Sequence, residues 1–129
     1  MSIQVTDAIA GNITVTDNQN GSISQVIAIA QSFVGSVSEY YPNFSAASGG
    51  GTAVTFPITA LQFVYVKNTS TTIALSVTWT KNGGGSVSVV TLDPGAFIML
   101  CENGTTNGIT ALTLTAASST VLAQLVLAG

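Results

Sequence analysis

Apolar and polar residues alternate with a period of two along much of this chain. In Ile73–Thr80 the odd positions hold Ile, Leu, Val and Trp, while the even positions hold only Ala, Ser and Thr. This period indicates a β-strand with one face in a core and one polar face. Ile109–Ala116 repeats it with Leu112 and Leu114 inward, and Ser22–Val34 alternates less cleanly. The chain is therefore expected to fold from strands.

Turn sequences separate the apolar segments at short intervals. Asn-Gly pairs occur at 20–21, 82–83, 103–104 and 107–108, and Asp93-Pro94-Gly95 is a further turn sequence. The expected strands are Ile3–Thr6, Ile9–Thr16, Ser22–Val34, Ala53–Phe56, Leu61–Lys67, Thr72–Thr80, Ser86–Leu92, Ala96–Glu102, Ile109–Ala116 and Thr120–Leu127. No segment has the period of a substantial helix. Short strands at this spacing predict an all-β protein, an antiparallel sandwich or barrel of about 8–10 strands.

A chain of 129 residues has the length of one domain. A stretch of small residues, Ser45–Gly51, divides it unevenly. Residues 53–129 are predicted to form the main sandwich, and residues 1–52 to supply N-terminal strands or an arm followed by the Gly-rich linker. The N-terminal part could complete the sheets or reach onto a neighbouring subunit.

Charged residues make up only 5% of the chain, against about a quarter in ordinary soluble domains. The net charge is −3, and arginine is absent, which argues against nucleic acid and anionic membranes as partners. We see no secretory signal and no apolar run long enough to span a membrane, and Cys101 is the single cysteine, so synthesis in a reducing cytoplasm is expected. Because Lys, Glu and Asp are depleted where one protein covers another, the composition predicts a subunit covered by neighbouring subunits.

Two segments, Phe97–Cys101 and Val121–Leu127, are apolar at odd and even positions alike. The outward face of a sandwich strand normally meets water, so these strands require a cover. The N-terminal arm or another copy of the chain could supply it, and we favour another copy. The residues predicted to form an interface with another copy or a partner are Leu122, Gln124, Val126, Ile98, Leu100, Tyr40, Tyr41 and Phe44.

Catalytic and cofactor-binding patterns are weak. Without histidine, neither a Ser-His nor a Cys-His arrangement can form, and zinc lacks ligands. The acidic residues are scattered, so a carboxylate pair such as Asp93 with Glu102 is a minor hypothesis. Asp17–Gly21 has calcium-binding residue types without the spacing of a calcium loop. No catalytic, cofactor or metal site is predicted. The aromatic cluster Tyr40–Phe44 could bind a glycan, or could anchor the sheet or a subunit contact.

Several segments between residues 61 and 129 resemble small virion proteins of tailed bacteriophages. The similarity lies in Phe63–Ser70, which ends in Lys-Asn-Thr-Ser, in the Trp79 strand, in Leu92–Ala96 and in the closing segment Val121–Gly129. The resemblance implies a jelly-roll-like β-sandwich that assembles, commonly as a trimer, on a capsid or tail. It carries no catalytic residues over to this chain. The chain departs from the group in being even poorer in charge.

These observations predict a structural protein of the virion, first of all a capsid decoration (cement) protein that binds its own copies and the major capsid protein without covalent bonds. The alternatives are a glycan- or receptor-binding module of a tail or fibre, and another tail or baseplate subunit. A glycosidase with a carboxylate pair ranks below both.

Overall fold

The computed structural model describes the backbone of residues 5–16, 24–35, 38–57, 59–82, 87–102 and 107–129, and side chains from residue 39 onward within those ranges. The described part is all-β, without a helix, as predicted. Its strands are β1 (Val5–Thr16), β2 (Ser24–Gly35), β3 (Ser38–Ala46), β4 (Thr52–Ala53), β5 (Phe63–Asn68), β6 (Leu75–Lys81), β7 (Val87–Leu92), β8 (Phe97–Cys101), β9 (Ile109–Ala116) and β10 (Val121–Ala128).

Eight of these strands form two antiparallel four-stranded sheets. Sheet I has the order β3-β10-β5-β8, and sheet II has the order β4-β9-β6-β7. β3 pairs with β10, β4 with β9, β5 with β8 and β6 with β7, so the pairs are nested around the β6–β7 hairpin. This nesting of strand pairs, wrapped into two sheets, gives the sandwich a jelly-roll-like connectivity. β1 and β2 pair with each other in a separate two-stranded sheet.

The core lies between the inner faces of the two sheets. The alternation predicted from the sequence places Leu75, Val77, Leu112 and Leu114 there, each at most 1% exposed. Sheet I contributes Val64, Val66, Leu125 and Leu127 from the opposite side, all fully buried. Burial of one such side chain stabilises the fold by about 1.5–3 kcal/mol. Trp79 is only half-buried, although it packs against this cluster as expected.

Three strands differ from the sequence prediction. From Val5 onward, the two segments expected before Thr16 form one continuous strand, because Asp7 and Ala8 pair with Phe33 and Ser32. Ile3 and Gln4 lie outside the described residues. β3 was not predicted, since its adjacent tyrosines and Pro42 do not alternate. The register of β3 against β10 shifts between Ala123 and Leu125, and β3 is an edge strand, where proline is tolerated. β4 is limited to Thr52–Ala53.

The sandwich begins at Ser38, earlier than the boundary expected at residue 53. The Gly-rich stretch is not a linker in front of the sandwich, because it connects β3 of sheet I to β4 of sheet II. Gly51 has a φ of +76° there, and a Cβ at this position would lie 3.0 Å from the Leu114 carbonyl oxygen of β9. The close approach to β9 therefore requires glycine at this position.

Asn68 is the one fully buried polar side chain among the described residues. Its Nδ2 donates to the carbonyl oxygens of Ile73 at 2.8 Å, Leu92 at 3.1 Å and Asp93 at 3.2 Å. Its Oδ1 accepts from the Ser70 backbone N–H at 3.0 Å. The side chain thus connects the β5–β6 loop, which leads from sheet I to sheet II, to the β7–β8 turn, which leads from sheet II back to sheet I.

Candidate functional site

The outer face of sheet I carries large apolar side chains in register across all four strands. Met99 of β8 pairs with Tyr65 of β5, Tyr65 with Val126 of β10, and Val126 with Tyr40 of β3. Cross-strand partners share a face of the sheet, so these four residues form one apolar row. A second row holds Phe97, Lys67 and Gln124.

Much of this face is open to solvent. The exposed fractions are 61% for Tyr40, 57% for Phe97, 47% for Leu122 and 42% for Met99. The rings of Phe97 and Tyr65 lie 5.7 Å apart between centroids. At one end of the same face, Phe63 and Ala128 are buried, with Tyr65 and Val126 packed against them. The apolar surface is therefore continuous from β3 to β8, and contiguous exposed apolar area of this kind marks interaction sites.

The structure places half of the predicted interface residues on this outer face. Leu122, Gln124 and Val126 alternate on the outward side of β10, and Tyr40 lies beside Val126. Ile98 and Leu100, which were also predicted, pack against the core instead. The outward apolar residues of β8 are Phe97 and Met99, which sequence reasoning missed. Because both sides of β8 are apolar, only its register against β5 distinguishes them.

The remaining two predicted residues, Tyr41 and Phe44, also pack against the core. Their rings meet edge to face, 6.0 Å apart at 83°. The Tyr41 hydroxyl donates to the Thr55 carbonyl oxygen at 3.1 Å, and burial, together with Glu39, raises the pKa of Tyr41. Tyr40 and Tyr41 therefore lie on opposite faces of β3, so the rings of the cluster Tyr40–Phe44 do not share one exposed face.

Charge is sparse around the candidate surface. Among the described side chains, Lys81 pairs with Glu102, and no carboxylate pairs with Lys67 on the outer face of sheet I. Cys101 ends β8 on the same face, and its free thiol has a raised pKa because it is partly buried and lies near Glu102.

The acidic residues considered for catalysis do not converge. Asp93 precedes β8 and Glu102 follows it, so the length of the strand separates them by about 17 Å. Glycosidase carboxyl groups lie about 5–9.5 Å apart. Within the described ranges, no three Asp, Glu or Cys side chains are grouped in a way that could hold a metal ion. The Asp17–Gly21 segment considered for calcium lies outside the described residues.

A shallow depression of about 440 Å³ adjoins the outer face of sheet I. Its lining is mainly amide, hydroxyl and backbone: Lys67, Asn68, Thr69, Ser70, Thr71, Pro94, Gly95 and Gln124. Most of the hydrogen-bonding capacity of Asn68 is used inside the protein. The depression can offer hydrogen bonds from hydroxyl and amide groups, and its described lining contains no acid or base pair.

The outer face of sheet II differs in chemistry from that of sheet I. Its register rows place Thr113 beside Thr78 and Thr115 beside Ser76, so hydroxyl groups cover its centre. Val87 and Val89, 60% and 61% exposed, lie on its edge strand β7. The centre of this face is polar, as the sequence alternation predicts, whereas its β7 edge is apolar.

The fold and these surfaces define the protein as a β-sandwich whose sheet I has an apolar outer face and whose sheet II has an outer face with a polar centre. No protein-family model matches the chain, and neither a curated protein nor a solved structure does so. Within the described residues there is no helix with the length and apolar character needed to cross a membrane.

Proposed function

We propose that this protein is a structural subunit of a virus particle, a capsid decoration protein of a tailed bacteriophage that associates with its own copies and with the capsid shell. The observation that carries the proposal is the exposed apolar outer face of sheet I. Tyr40, Phe97, Leu122 and Met99 are each more than 40% exposed there, in a chain with 5% charged residues. An outer surface of this kind is stabilised by a covering protein surface.

Three further features support an adhesive role over a catalytic one. Asp93 and Glu102 lie at opposite ends of β8, and the depression beside the outer face is shallow and lined mainly by neutral groups. The segments between residues 61 and 129 resemble phage virion proteins, and jelly-roll sandwiches are used in viral capsid shells as well as in lectins. Since a fold does not determine a function, the surface chemistry carries the argument.

The mass of the full chain in solution, measured by light scattering, tests self-association. We expect a trimer or larger ring that persists on dilution to low micromolar concentration. Phe97→Lys and Leu122→Lys should each shift the protein toward monomer, because a lysine at these positions leaves a charge in the covered surface. Val89→Lys is the matched control, as Val89 is 61% exposed on the outer face of sheet II.

A monomeric parent protein at high concentration would contradict this part of the proposal. If only Val89→Lys produced monomer, the interface would lie on the outer face of sheet II. The location on a virion is tested separately, by purifying phage particles from the source organism. The chain should be present at a fixed ratio to the main shell protein, and antibody should label the head. Absence from intact particles would overturn the virion assignment while leaving self-association unaffected.

A further inference from the structure

The β1–β2 hairpin has an amphipathic register pattern, and it pairs with no further strand among the described residues. Its antiparallel register is regular from Val5 opposite Gly35 to Thr16 opposite Ser24. One set of register positions holds the large apolar residues Val5, Ile9, Ile13, Val15, Ile27, Ile29 and Phe33. The other set holds Thr, Ser, Ala and Asn, with two valines. In the described residues the hairpin hydrogen-bonds to neither sheet I nor sheet II.

An isolated two-stranded hairpin is at best marginally stable in water, so its apolar face needs a surface to cover it. Each strand of the hairpin is also longer than any strand of sheet I. Each of its strands has 12 residues, about 40 Å at the rise of a strand. The strands of sheet I have 5 to 9 residues, about 17–30 Å. A hairpin laid along sheet I of any copy, its own included, would extend about 10 Å beyond it.

The outer face of sheet I is buried at Phe63 and Ala128, but much of the rest is open to solvent in the single chain. Tyr40 and Phe97 stay more than half exposed in the single chain. The join between hairpin and sandwich is short, since β2 ends at Gly35 and β3 begins at Ser38. The part of this face around Tyr40 and Phe97 is thus left exposed in the single chain.

The charges of the two faces are complementary. Asp7 is the one charged residue among the described positions on the apolar face of the hairpin. Lys67 is the one cation on the outer face of sheet I, and no described carboxylate pairs with it. Opposite charges, one on each apolar surface, favour one register and one orientation when the surfaces meet.

We propose that the β1–β2 hairpin of one copy covers the outer face of sheet I on a second copy, with Asp7 near Lys67. Each copy then donates one hairpin and has one face covered, and repetition of this contact around an axis closes a ring. The inference rests only on the self-association part of the proposed function and does not depend on a location in a virion.

Disulfide trapping in the full chain tests the contact, because Cys101 lies on the outer face of sheet I. Single cysteines are introduced on the apolar face of the hairpin by Ile9→Cys, Ile13→Cys, Ile29→Cys and Gln31→Cys. The matched controls, on the opposite face, are Ala8→Cys, Asn12→Cys, Ala28→Cys and Ser32→Cys. The proteins are oxidised with oxidised glutathione, at alkaline pH because the pKa of Cys101 is raised.

We expect a covalent dimer or larger species on a denaturing gel from at least one apolar-face position and from none of the controls. Cys101→Ser should abolish it. A disulfide within one chain would show that the hairpin covers its own sandwich, and would overturn the inference. Equal cross-linking from both faces, or none from the apolar face, would also overturn it. If light scattering still gives an oligomer in those cases, the proposed function survives with a different interface.

Exchanging the charges of Asp7 and Lys67 provides a second test, which does not require two cysteines to lie within disulfide-bonding distance. Lys67→Asp and Asp7→Lys should each weaken self-association about tenfold, because each places like charges in contact. The double variant should return to within about threefold of the parent protein. Lys81→Gln, at the ion pair with Glu102, is the control and should leave the mass unchanged. Failure of the double variant to recover would overturn the pairing of Asp7 with Lys67.

Discussion

Asn68 shows how one residue can join two parts of the fold. Its amide group donates to three backbone carbonyl oxygens, one in the β5–β6 loop and two at the β7–β8 turn, and so links these two segments. Asparagine supplies both donors and an acceptor, which neither aspartate nor leucine does. The sequence contained the residue at the end of a strand, in Lys-Asn-Thr, but gave no indication that its side chain is buried.

Replacement of Asn68 by alanine should lower the free energy of unfolding by about 3 kcal/mol, because several buried backbone groups lose their partner. Urea unfolding followed by circular dichroism measures the change. Asn43→Ala is the control, since Asn43 is exposed on β3 and should cost less than about 1 kcal/mol. Equal effects of the two substitutions would contradict the role assigned to Asn68.

Substitutions at Gly49 and Gly51 distinguish the cost of backbone strain from the cost of steric crowding. Both have a φ of +76°, but a Cβ at Gly49 meets nothing within 4 Å, whereas one at Gly51 collides with Thr115 and Thr113. Gly49→Ala should cost about 1–2 kcal/mol, the penalty of the left-handed conformation alone. Gly51→Ala should cost at least 1 kcal/mol more, because the β4–β9 contact must shift. Thermal unfolding of the two variants gives the comparison, and equal losses would show that the loop moves freely away from β9.

Cys101 gives a prediction for pH dependence. Its pKa is raised, first by burial and second by Glu102, so the folded chain holds the thiol proton to higher pH than the unfolded chain does. The free energy of unfolding should therefore fall as the pH rises through the two pKa values, because the unfolded state releases the thiol proton first. The rate of alkylation should reach its midpoint at a higher pH than for a free cysteine peptide. A midpoint at or below that of the peptide would contradict a raised pKa of Cys101.

Individual strands differ in how well the sequence predicts them. β6 and β9 alternate cleanly, and their inward residues Leu75, Val77, Leu112 and Leu114 were predicted correctly. β3 was missed because its register shift against β10 and its proline disturb the alternation. β8 was predicted as a strand, yet its inward and outward sides were exchanged in the interface prediction. A strand that is apolar on both sides carries no sequence signal for its orientation.

The β1–β2 hairpin should be protected from hydrogen exchange only when the protein is associated. Amides of β1 and β2 should exchange faster on dilution below the association constant, since an isolated hairpin is marginally stable. Amides of β5 and β10 should not depend on concentration, because both are central strands of sheet I. Exchange measured by mass spectrometry at two concentrations checks this. Concentration-independent protection of the hairpin would mean that its own chain covers it.

The assembled protein should depend little on salt. With two lysines and five carboxylates in 129 residues, few charged contacts are available between copies. One exposed ion pair contributes up to about 1 kcal/mol, so raising sodium chloride from low to high concentration should weaken association by about fivefold at most. Sedimentation at several salt concentrations measures this. A much steeper dependence would indicate an electrostatic interface elsewhere on the molecule.

The sequence by itself determined the fold class, since residue alternation fixes which side of each strand can be buried, and the hydrophobic effect then requires two sheets packed together. It also determined that an apolar surface would remain, because two segments are apolar on both sides. Only the tertiary structure decided which residues form that surface. Register between strands distant in the chain, such as Met99 against Tyr65 and Val126 against Tyr40, depends on long-range pairing that no local pattern encodes.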